Sequence, residues 1–587
     1  MSLFTQIPYT LQTLIANIDS GILALPEIQR PFVWENAKVR DLLDSMYRGY
    51  PVGTLLFWLT SNNAQAGRSI GQTHQSVPHS LIVDGQQRLT GLYAVIKGVA
   101  VLRNNYEREH IRIAFNPLKD EFMVPDASTP KDPAWLPDIS VIWMPGADLF
   151  SIVPDYLARY RAARGEDSLS PEDEAHIKSA LNKLHSLPGT YSFTVLQLVP
   201  DMTEEEVSQV FVRVNSMGKR LNQADFILTL MSVYWDTGRH ELERFARESR
   251  TPPAVGAKVP FNFQFRPEPD HLLRVGVALA FRRARLQSVY AVLRGKDMET
   301  DAFSPARRDE QFAKLQQAQA KVLNLTDWFA YLTCLTQAGY RREDLLISNM
   351  AAVYAYAFFL IGKHDFGVAQ SELRKVIARW FFASALTARY STSPESVMEK
   401  DMAALRDIST AQEFVAYLEG QMTLILTQDY WNITLPGNMA TSAARSPELA
   451  AYFAALNLLD ARVLFSKVKI SELMEPGLQP RKALLDRHHL FPKGFLKNYG
   501  ITAVRQTNQI ANMALLEWPQ NINIKDDAPS DYVSRIMQGG QFTDEEQRCF
   551  AHWHALPEGW EHMSYDAFLP KRRQLMAHVI REGFERI

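Results

Sequence analysis

Two adjacent histidines, His488 and His489, form the part of the sequence that most strongly indicates chemistry. They precede Pro492, and two asparagines follow at Asn512 and Asn521. An imidazole base, a second nitrogen ligand and an amide oxygen can together hold one divalent cation against a phosphodiester. These residue types at this spacing therefore indicate a site that cleaves nucleic acid.

The positive charges around these histidines favour a polyanionic substrate. The whole chain carries 63 Lys and Arg against 65 Asp and Glu, a formal net charge of −2, so its overall charge neither supports nor excludes nucleic-acid binding. Between Arg481 and Arg505, six lysines and arginines accompany a single acid, Asp486. We expect Lys493 and Lys497 to contact flanking phosphates, although a solvated surface is the commoner meaning of such a cluster.

A second group of polar residues, Asp84 to Arg88, lies between an apolar run that predicts a buried strand and a helical pattern. A strand-to-helix turn presents backbone N–H groups and the positive end of the helix dipole, and Arg88 adds a full charge, which suits a phosphate. Asp84 could hold a metal ion or orient water. The structural alternative is an ordinary turn in which Asp84 caps the helix.

Two further segments supply polar candidates. Gln29 and Arg30 lie in a stretch bounded by prolines, which favours an extended backbone. Arg213 and Asn215 end a helical pattern. Salt bridges to acids and capping of a helix C-terminus are the structural alternatives for these residues.

The chain is too long for one hydrophobic core, so we expect several domains. Short apolar runs up to about residue 125 predict a mixed α/β region, and residues 150–430 carry apolar residues at helical spacing. Small residues from Leu435 to Pro447 predict a linker or an exposed loop. The predicted domains are residues 1–215, a helical middle at 216–430, a connecting segment at 431–480 and a nuclease domain at 481–587.

Cysteine content and the N-terminal residues predict a cytoplasmic protein with no membrane partner. The two cysteines, Cys334 and Cys549, argue against a disulfide framework and a cysteine-based zinc site. Residues 1–6 contain no basic segment followed by an apolar one, which is the pattern of a signal peptide. The sequence also lacks an apolar run of about 18 residues, the minimum for a membrane-spanning helix.

The N-terminal motifs resemble those of the GmrSD-type restriction family, which has a Pro-x-Tyr-Gln-Arg-Pro segment, an Asp-Gly-Gln-Gln-Arg motif and a later Phe-x-Arg-x-Asn helix. This chain has the second motif in full. In the first motif, Ile28 stands where the family has tyrosine. This difference argues mildly against a sensor that recognises phosphorothioate DNA through that tyrosine. The resemblance implies a ParB/sulfiredoxin-like α/β domain that binds and hydrolyses a nucleoside triphosphate (ATP, GTP or UTP). The implied nucleotide-binding residues are Gln29, Arg30, Asp84, Gly85, Gln86, Gln87, Arg88, Arg213 and Asn215.

The C-terminal motifs, His489-x-x-Pro492 and the segment with Asn512 and Asn521, resemble the HNH domain of the same family. The resemblance implies a ββα-metal nuclease with Mg²⁺ or Mn²⁺, in which His489 is the general base and Asn512 braces the loop and orients it. Because a histidine ligand would replace the usual carboxylate, a softer transition metal is an alternative to Mg²⁺ or Mn²⁺ at this site. The implied metal ligands are His488 and Asn521, with Asp486 as a competing ligand and Asn523 as a substitute for Asn521.

The resemblance implies an α+β multidomain, nucleotide-dependent type IV restriction endonuclease that defends against phages. Its substrate would be double-stranded DNA with modified bases, such as hydroxymethylated or glucosylated cytosine, and BREX-linked members share this layout. One HNH site cuts one strand, so we expect a homodimer. Two alternatives remain open: a nucleotide-regulated HNH nuclease or toxin acting on unmodified DNA or RNA, and a non-catalytic DNA-binding scaffold.

Overall fold

A computed structural model describes most of the chain, and its fold is α+β, as predicted. The described residues are 3–24, 32–59, 80–103, 107–200, 202, 210, 223–254, 256–296, 304–475, 485–517, 524–538 and 542–587. They divide into two compact units, Met1–Asn222 and Gln223–Ile587. From residue 223 onwards, the predicted helical middle, connecting segment and nuclease domain all lie within the second unit.

The first unit contains a five-stranded mixed sheet with helices and small hairpins. Its strands are β1 Phe4–Thr10, β2 Leu23–Ala24, β3 Leu55–Leu59, β4 Ser80–Asp84, β5 Ala100–Leu102, β6 Arg108–His110, β7 Ala114–Asn116, β8 Glu121–Met123 and β9 Ser192–Leu198. Its helices are α1 Leu11–Asp19, α2 Asn36–Tyr47, α3 Gln86–Lys97, α4 Leu149–Arg164 and α5 Pro171–Thr190. The order in the sheet is β1-β9-β3-β4-β2, in which β3 pairs parallel to β9 and antiparallel to β4.

The helices of the first unit bury one face of this sheet. Phe57 of β3 and Ile82 of β4 belong to the same buried cluster as Leu43 of α2 and Leu92 of α3. Leu56, the neighbour of Phe57, lies in a separate small cluster, because successive side chains of a strand point to opposite faces. This packing fixes the end of β4 and the start of α3, between which the Asp84–Arg88 motif lies.

The second unit is built mainly from helices, and a smaller apolar cluster that includes Phe491 and Tyr532 lies beside its one large core. Its helices are α6 Gln223–Tyr234, α7 Asp236–Glu248, α8 Pro269–Phe281, α9 Leu286–Leu293, α10 Pro305–Val322, α11 Leu325–Gln337, α12 Asn349–His364, α13 Gln370–Leu386, α14 Pro394–Ala404, α15 Ala411–Ile425, α16 Leu435–Asn438, α17 Pro447–Leu458, α18 Ile470–Leu473, α19 Lys493–Lys497, α20 Val504–Thr507, α21 Pro529–Gln538, α22 Asp544–Trp553 and α23 Tyr565–Arg586. Among its described residues, the strands β10 Leu485–His489 and β11 Met513–Glu517 form an antiparallel pair. Helix α12 is buried on all sides from Ala351 to Gly362, so it lies at the centre of this core. Among the described residues, no helix combines the length and the apolar character needed to cross a bilayer.

The segment from Leu435 to Pro447 is not a simple exposed loop, so that prediction is wrong at its start. Leu435 and Met439 are fully buried. The carbonyl oxygen of Thr441 accepts a hydrogen bond from the backbone of Ile510 at 2.9 Å. Small residues permit such close packing as readily as they permit a flexible linker, and composition alone does not separate the two.

His554 is a buried histidine that should make the stability of the second unit depend on pH. Its side chain is fully buried, and its Nε2 lies 2.9 Å from the carbonyl oxygen of Arg462, to which it donates. Burial lowers the pKa of His554 from 6.5 to about 4, because a buried imidazolium loses its hydration. The nearby guanidinium of Arg572 acts in the same direction, whereas the Arg462 carbonyl opposes it.

We therefore expect the second unit to lose stability as the pH falls from about 6.5 to about 4. In this window the unfolded chain binds a proton that folded His554 does not, so the stability present above pH 6.5 declines by about 1.4 kcal/mol per pH unit. Burial also lowers the pKa of His271 in the same unit, so the loss of stability between pH 7 and pH 5, measured by urea denaturation, should be about 2 kcal/mol larger in the wild type than in His554→Gln. Equal losses in both proteins would contradict this origin.

Candidate active site

The paired histidines lie at the end of β10 and point to opposite sides of the hairpin. His488 is opposite Ala514 and His489 is opposite Met513, and neighbouring side chains in a strand alternate between faces. His488 is only 5% exposed, and its ring meets the ring of Tyr532 edge-on, with centroids 6.0 Å apart. His489 is half-buried on the other side, where solvent reaches it.

A hydrogen bond to Asn508 holds the ring of His489. The Nε2 atom of His489 lies 3.0 Å from Oδ1 of Asn508. An amide oxygen only accepts, so Nε2 carries the hydrogen and donates it, and the neutral ring keeps its lone pair on Nδ1. The sequence analysis missed Asn508, although its place four residues before Asn512 was a usable signal.

Asn512 fixes the backbone that follows His489. Its side chain is fully buried, and its Oδ1 accepts from the backbone N–H of Phe491 at 2.8 Å. Its Nδ2 donates to the carbonyl oxygens of Phe491 at 3.1 Å and Thr507 at 3.0 Å. These bonds brace the loop. The described side chain that contacts the His489 ring is Asn508, so Asn512 acts on the ring through the backbone.

Arg572 of α23 supports the hairpin from beneath. Its side chain is fully buried and donates to the carbonyl oxygens of Ala511 at 2.7 Å and Met513 at 2.8 Å, the two neighbours of Asn512. Its Nε donates to the carbonyl oxygen of His554 at 3.2 Å. Burial lowers the pKa of Arg572, and three carbonyl dipoles offset part of the desolvation cost. Sequence reasoning also missed this residue.

The described residues do not form a complete cation site beside His488. No three His, Cys, Asp or Glu side chains of the described part come together to hold a metal ion. Asn521 and its substitute Asn523 lie outside the described residues, and of Asp486 only the backbone, opposite Leu516, is described. A full set of ligands would need these groups in addition to His488.

Lys493 and Lys497, the predicted phosphate contacts, begin and end the short helix α19 directly after Pro492. Both side chains are exposed. Neither forms a salt bridge with a described residue, so both are available to an anion. The helix is fixed on its other side, where the backbone N–H of Gly494 donates to Asp526 at 3.1 Å.

The motif in the first unit forms the turn between β4 and α3. Gly85 has a φ of +96°, and a Cβ atom there would lie 2.2 Å from Cδ2 of Leu55, so only glycine fits. Arg88 donates to the carbonyl oxygens of Val52 and Thr54, both at 2.8 Å, and to Asp84 Oδ2 at 3.1 Å. Arg88 therefore anchors the backbone before β3 to this turn.

The remaining motif residues lie at the N-terminus of α3 or outside the described part. Gln87 Oε1 accepts from the backbone of Val33 at 2.9 Å, and Gln86 is half-buried. No side chain caps α3, so Asp84 does not take the capping role of the structural alternative; it pairs with Arg88. The candidates that fall outside the described residues are Gln29, Arg30, Arg213 and Asn215.

Comparison with known proteins gives two matches. Over 572 residues the chain is 22% identical to an uncharacterized protein of Methanocaldococcus jannaschii, covering 89% of this chain and 86% of that protein. This similarity spans both units. Residues 11–232 match the family model of the GmrSD restriction endonuclease, N-terminal domain. Residues 11–232, which include most of the first unit, are thus similar to the N-terminal domain of GmrSD restriction endonucleases.

Proposed function

We propose that this chain is a type IV restriction endonuclease that cleaves modified double-stranded DNA at His489, in an HNH-type hairpin. The observation that carries the proposal is the His489 ring, held through Nε2 by Asn508 at the end of a hairpin that Asn512 and Arg572 brace. The similarity of the first unit to a restriction endonuclease domain supports it. Two copies would be needed to cut both strands at one place, which favours a homodimer.

His489 would act as the general base in this reaction. Nδ1 takes a proton from a water molecule while the water oxygen bonds to phosphorus, and the bond from phosphorus to the 3′ oxygen breaks. The leaving oxygen takes a proton from solvent. The imidazolium that forms donates a charge-assisted hydrogen bond from Nε2 to Asn508, which is stronger than the bond before proton transfer. Asn508 is thus a positioning residue that also stabilises the protonated form of His489.

We propose that the turn between β4 and α3 handles a nucleoside triphosphate, in a ParB/sulfiredoxin-like domain. The uncapped first turn of α3 presents N–H groups and a positive dipole end to a phosphate. Asp84 is 27% exposed and can face a ligand, whereas Arg88, at 16%, is committed to Val52 and Thr54. Arg88 therefore holds the turn in place, in addition to any positive charge that it supplies to the phosphate.

Replacing Asp84 with asparagine is expected to abolish nucleotide hydrolysis and leave the fold intact. Asparagine keeps an oxygen that accepts from Arg88, so the change removes the charge but not the bond. Phosphate release from ATP, GTP and UTP would be measured beside Asp41→Asn, which changes an exposed acid of α2 in the same unit. Wild-type turnover in Asp84→Asn would assign this motif a structural role only.

The function as a whole is tested by cleavage of phage DNA that carries hydroxymethylated or glucosylated cytosine, beside the same DNA without modification. Each DNA would be incubated with and without nucleotide, and with Mg²⁺, Mn²⁺ or EDTA. We expect cutting only of modified DNA, dependent on nucleotide and stopped by EDTA. Equal cutting of unmodified DNA would instead favour a nucleotide-regulated nuclease or toxin, and no cutting of any DNA would favour a binding scaffold.

A further inference from the structure

We infer that residues 493–506, here called the 493–506 surface, bind nucleic acid that offers an uncovered base, with Tyr499 stacking on that base. Lys493, Lys497 and Arg505 are exposed there, and none forms a salt bridge with a described residue. No Asp or Glu occurs between Arg487 and Leu516. The carboxylate of Asp526 accepts from the backbone N–H of Gly494, so the three exposed cations outnumber this one acid, and such an excess of positive charge attracts a polyanion.

An exposed aromatic side chain lies within this positive surface. Tyr499 is 69% exposed, and Val504, five residues later, is 66% exposed. The ring of Tyr499 packs against Phe495, with centroids 5.0 Å apart, and Phe495 packs in turn against buried Phe491 at 6.2 Å. The inner side of the tyrosine ring is therefore supported by the core, while the rest of the ring is presented to a ligand.

The combination of cations and one exposed ring favours nucleic acid over a second copy of this chain. A copy would bring the same positive charges together, which opposes association, whereas a sugar–phosphate strand brings negative charge and aromatic bases. Bases of an intact duplex already cover one another, so a tyrosine gains most from a base that is unpaired or unstacked. The surface joins the loop after His489 to Asn508, so a strand bound here would lie beside the proposed site.

This inference rests on the proposed function but narrows its substrate to DNA that is distorted or partly unpaired where it is cut. It is tested by equilibrium binding of the full chain in EDTA to a fluorescent duplex and to the same duplex with a central unpaired stretch. We expect tighter binding to the second DNA. Tyr499→Ala should weaken that binding about tenfold, whereas Tyr499→Phe should retain it because the ring remains.

Two further variants separate stacking from charge. Lys497→Ala should weaken binding to both DNAs alike and lower the slope of log affinity against log salt by about one. Leu424→Ala is the matched control, because Leu424 is an apolar residue of the same unit that is 72% exposed and lies outside the surface. It should bind both DNAs as the wild type does.

The inference would be overturned by equal binding of the two DNAs, by unchanged binding of Tyr499→Ala, or by no binding of either DNA by the wild type. Loss of a dimer in Tyr499→Ala, measured by light scattering, with unchanged DNA binding would also overturn it, because the surface would then join two copies. Undiminished cleavage by His489→Ala would refute the proposed base and leave these binding results standing. The two ideas therefore fail separately.

Discussion

Replacing His489 with alanine is expected to lower the rate of DNA cleavage about a thousandfold while the protein remains folded. A positioned general base contributes about 10²–10⁴ to a rate, and alanine has no group that takes the proton. The fold should persist because the backbone bonds of this hairpin do not involve the imidazole. The N–H of Leu490 still donates to the carbonyl oxygen of Asn512, and β10 still pairs with β11.

The rate would be measured as single-turnover cleavage of a supercoiled plasmid. His562→Ala is the matched control, because His562 is a solvent-exposed histidine of the same unit that lies near Glu561 and outside the hairpin. It should cut at the wild-type rate. Thermal denaturation of both variants would show that any loss of activity does not arise from unfolding. Undiminished nicking by His489→Ala would remove this residue from the role of base.

Replacing Arg572 with methionine is expected to destabilise the second unit by about 4 kcal/mol. Methionine retains most of the apolar packing but removes the donor of three carbonyl oxygens, those of Ala511 and His554, whose bonds are buried, and that of Met513, whose bond is partly buried. Each such loss costs about 1–3 kcal/mol. The hairpin backbone beside Asn512 would loosen, so activity should fall even at temperatures where the variant is folded.

Urea denaturation followed by intrinsic fluorescence measures this effect. Lys571→Met is the matched control, because it makes the same kind of change at the exposed neighbour of Arg572 on α23. Its midpoint should lie close to that of the wild type. If the two methionine variants unfold at the same urea concentration, the guanidinium does not hold the hairpin in the way its hydrogen bonds indicate.

Local patterns predicted the elements that carry the first motif. The apolar runs at Thr54–Leu59 and Ser80–Val83 correspond to β3 and β4, and the helix predicted from Leu89 starts at Gln86, directly after Gly85. No pattern predicts β1: the apolar spacing from Tyr9 to Asp19 predicts a helix, whereas Tyr9 and Thr10 belong to β1 and the helix α1 starts at Leu11. Most side chains of β1 are exposed or half-buried, so the strand lacks the alternation of apolar and polar residues by which strands are recognised.

Helix ends were harder to predict where apolar spacing continues through a break. The apolar spacing from Glu310 to Leu335 is continuous and predicts one helix, but α10 ends at Val322 and α11 starts at Leu325. Asn324 makes the break by accepting from the backbone of Asp327 at 3.1 Å. Likewise, the polar residues from Lys296 to Asp309 predict a loop, but α10 starts within this stretch, at Pro305. A single capping residue decides where such a helix begins, whereas the spacing of apolar residues locates a helix only to within about one turn.

The partners of the site residues could not be predicted because they come from distant parts of the chain. Arg572 lies sixty residues after Asn512 in sequence, and nothing in an amphipathic C-terminal helix marks one arginine as buried. Asn508 lies near His489 only because α19 and α20 return the chain to the hairpin. The residue types alone predicted a nuclease-like site, whereas tertiary packing determines that the Asn508 amide, and not the Asn512 amide, contacts the His489 imidazole.

Cleavage rates of four proteins test the central claim most directly: the wild type, His489→Ala, Asn508→Leu and the double variant. If Asn508 acts by holding the His489 ring, Asn508→Leu should lower the single-turnover rate by about 10–100-fold in the wild type and have no further effect once His489 is absent. If the rate reductions of the two single variants instead multiply, so that the double variant is far slower than His489→Ala, Asn508 acts independently of the imidazole. That result would contradict the proposed role of Asn508.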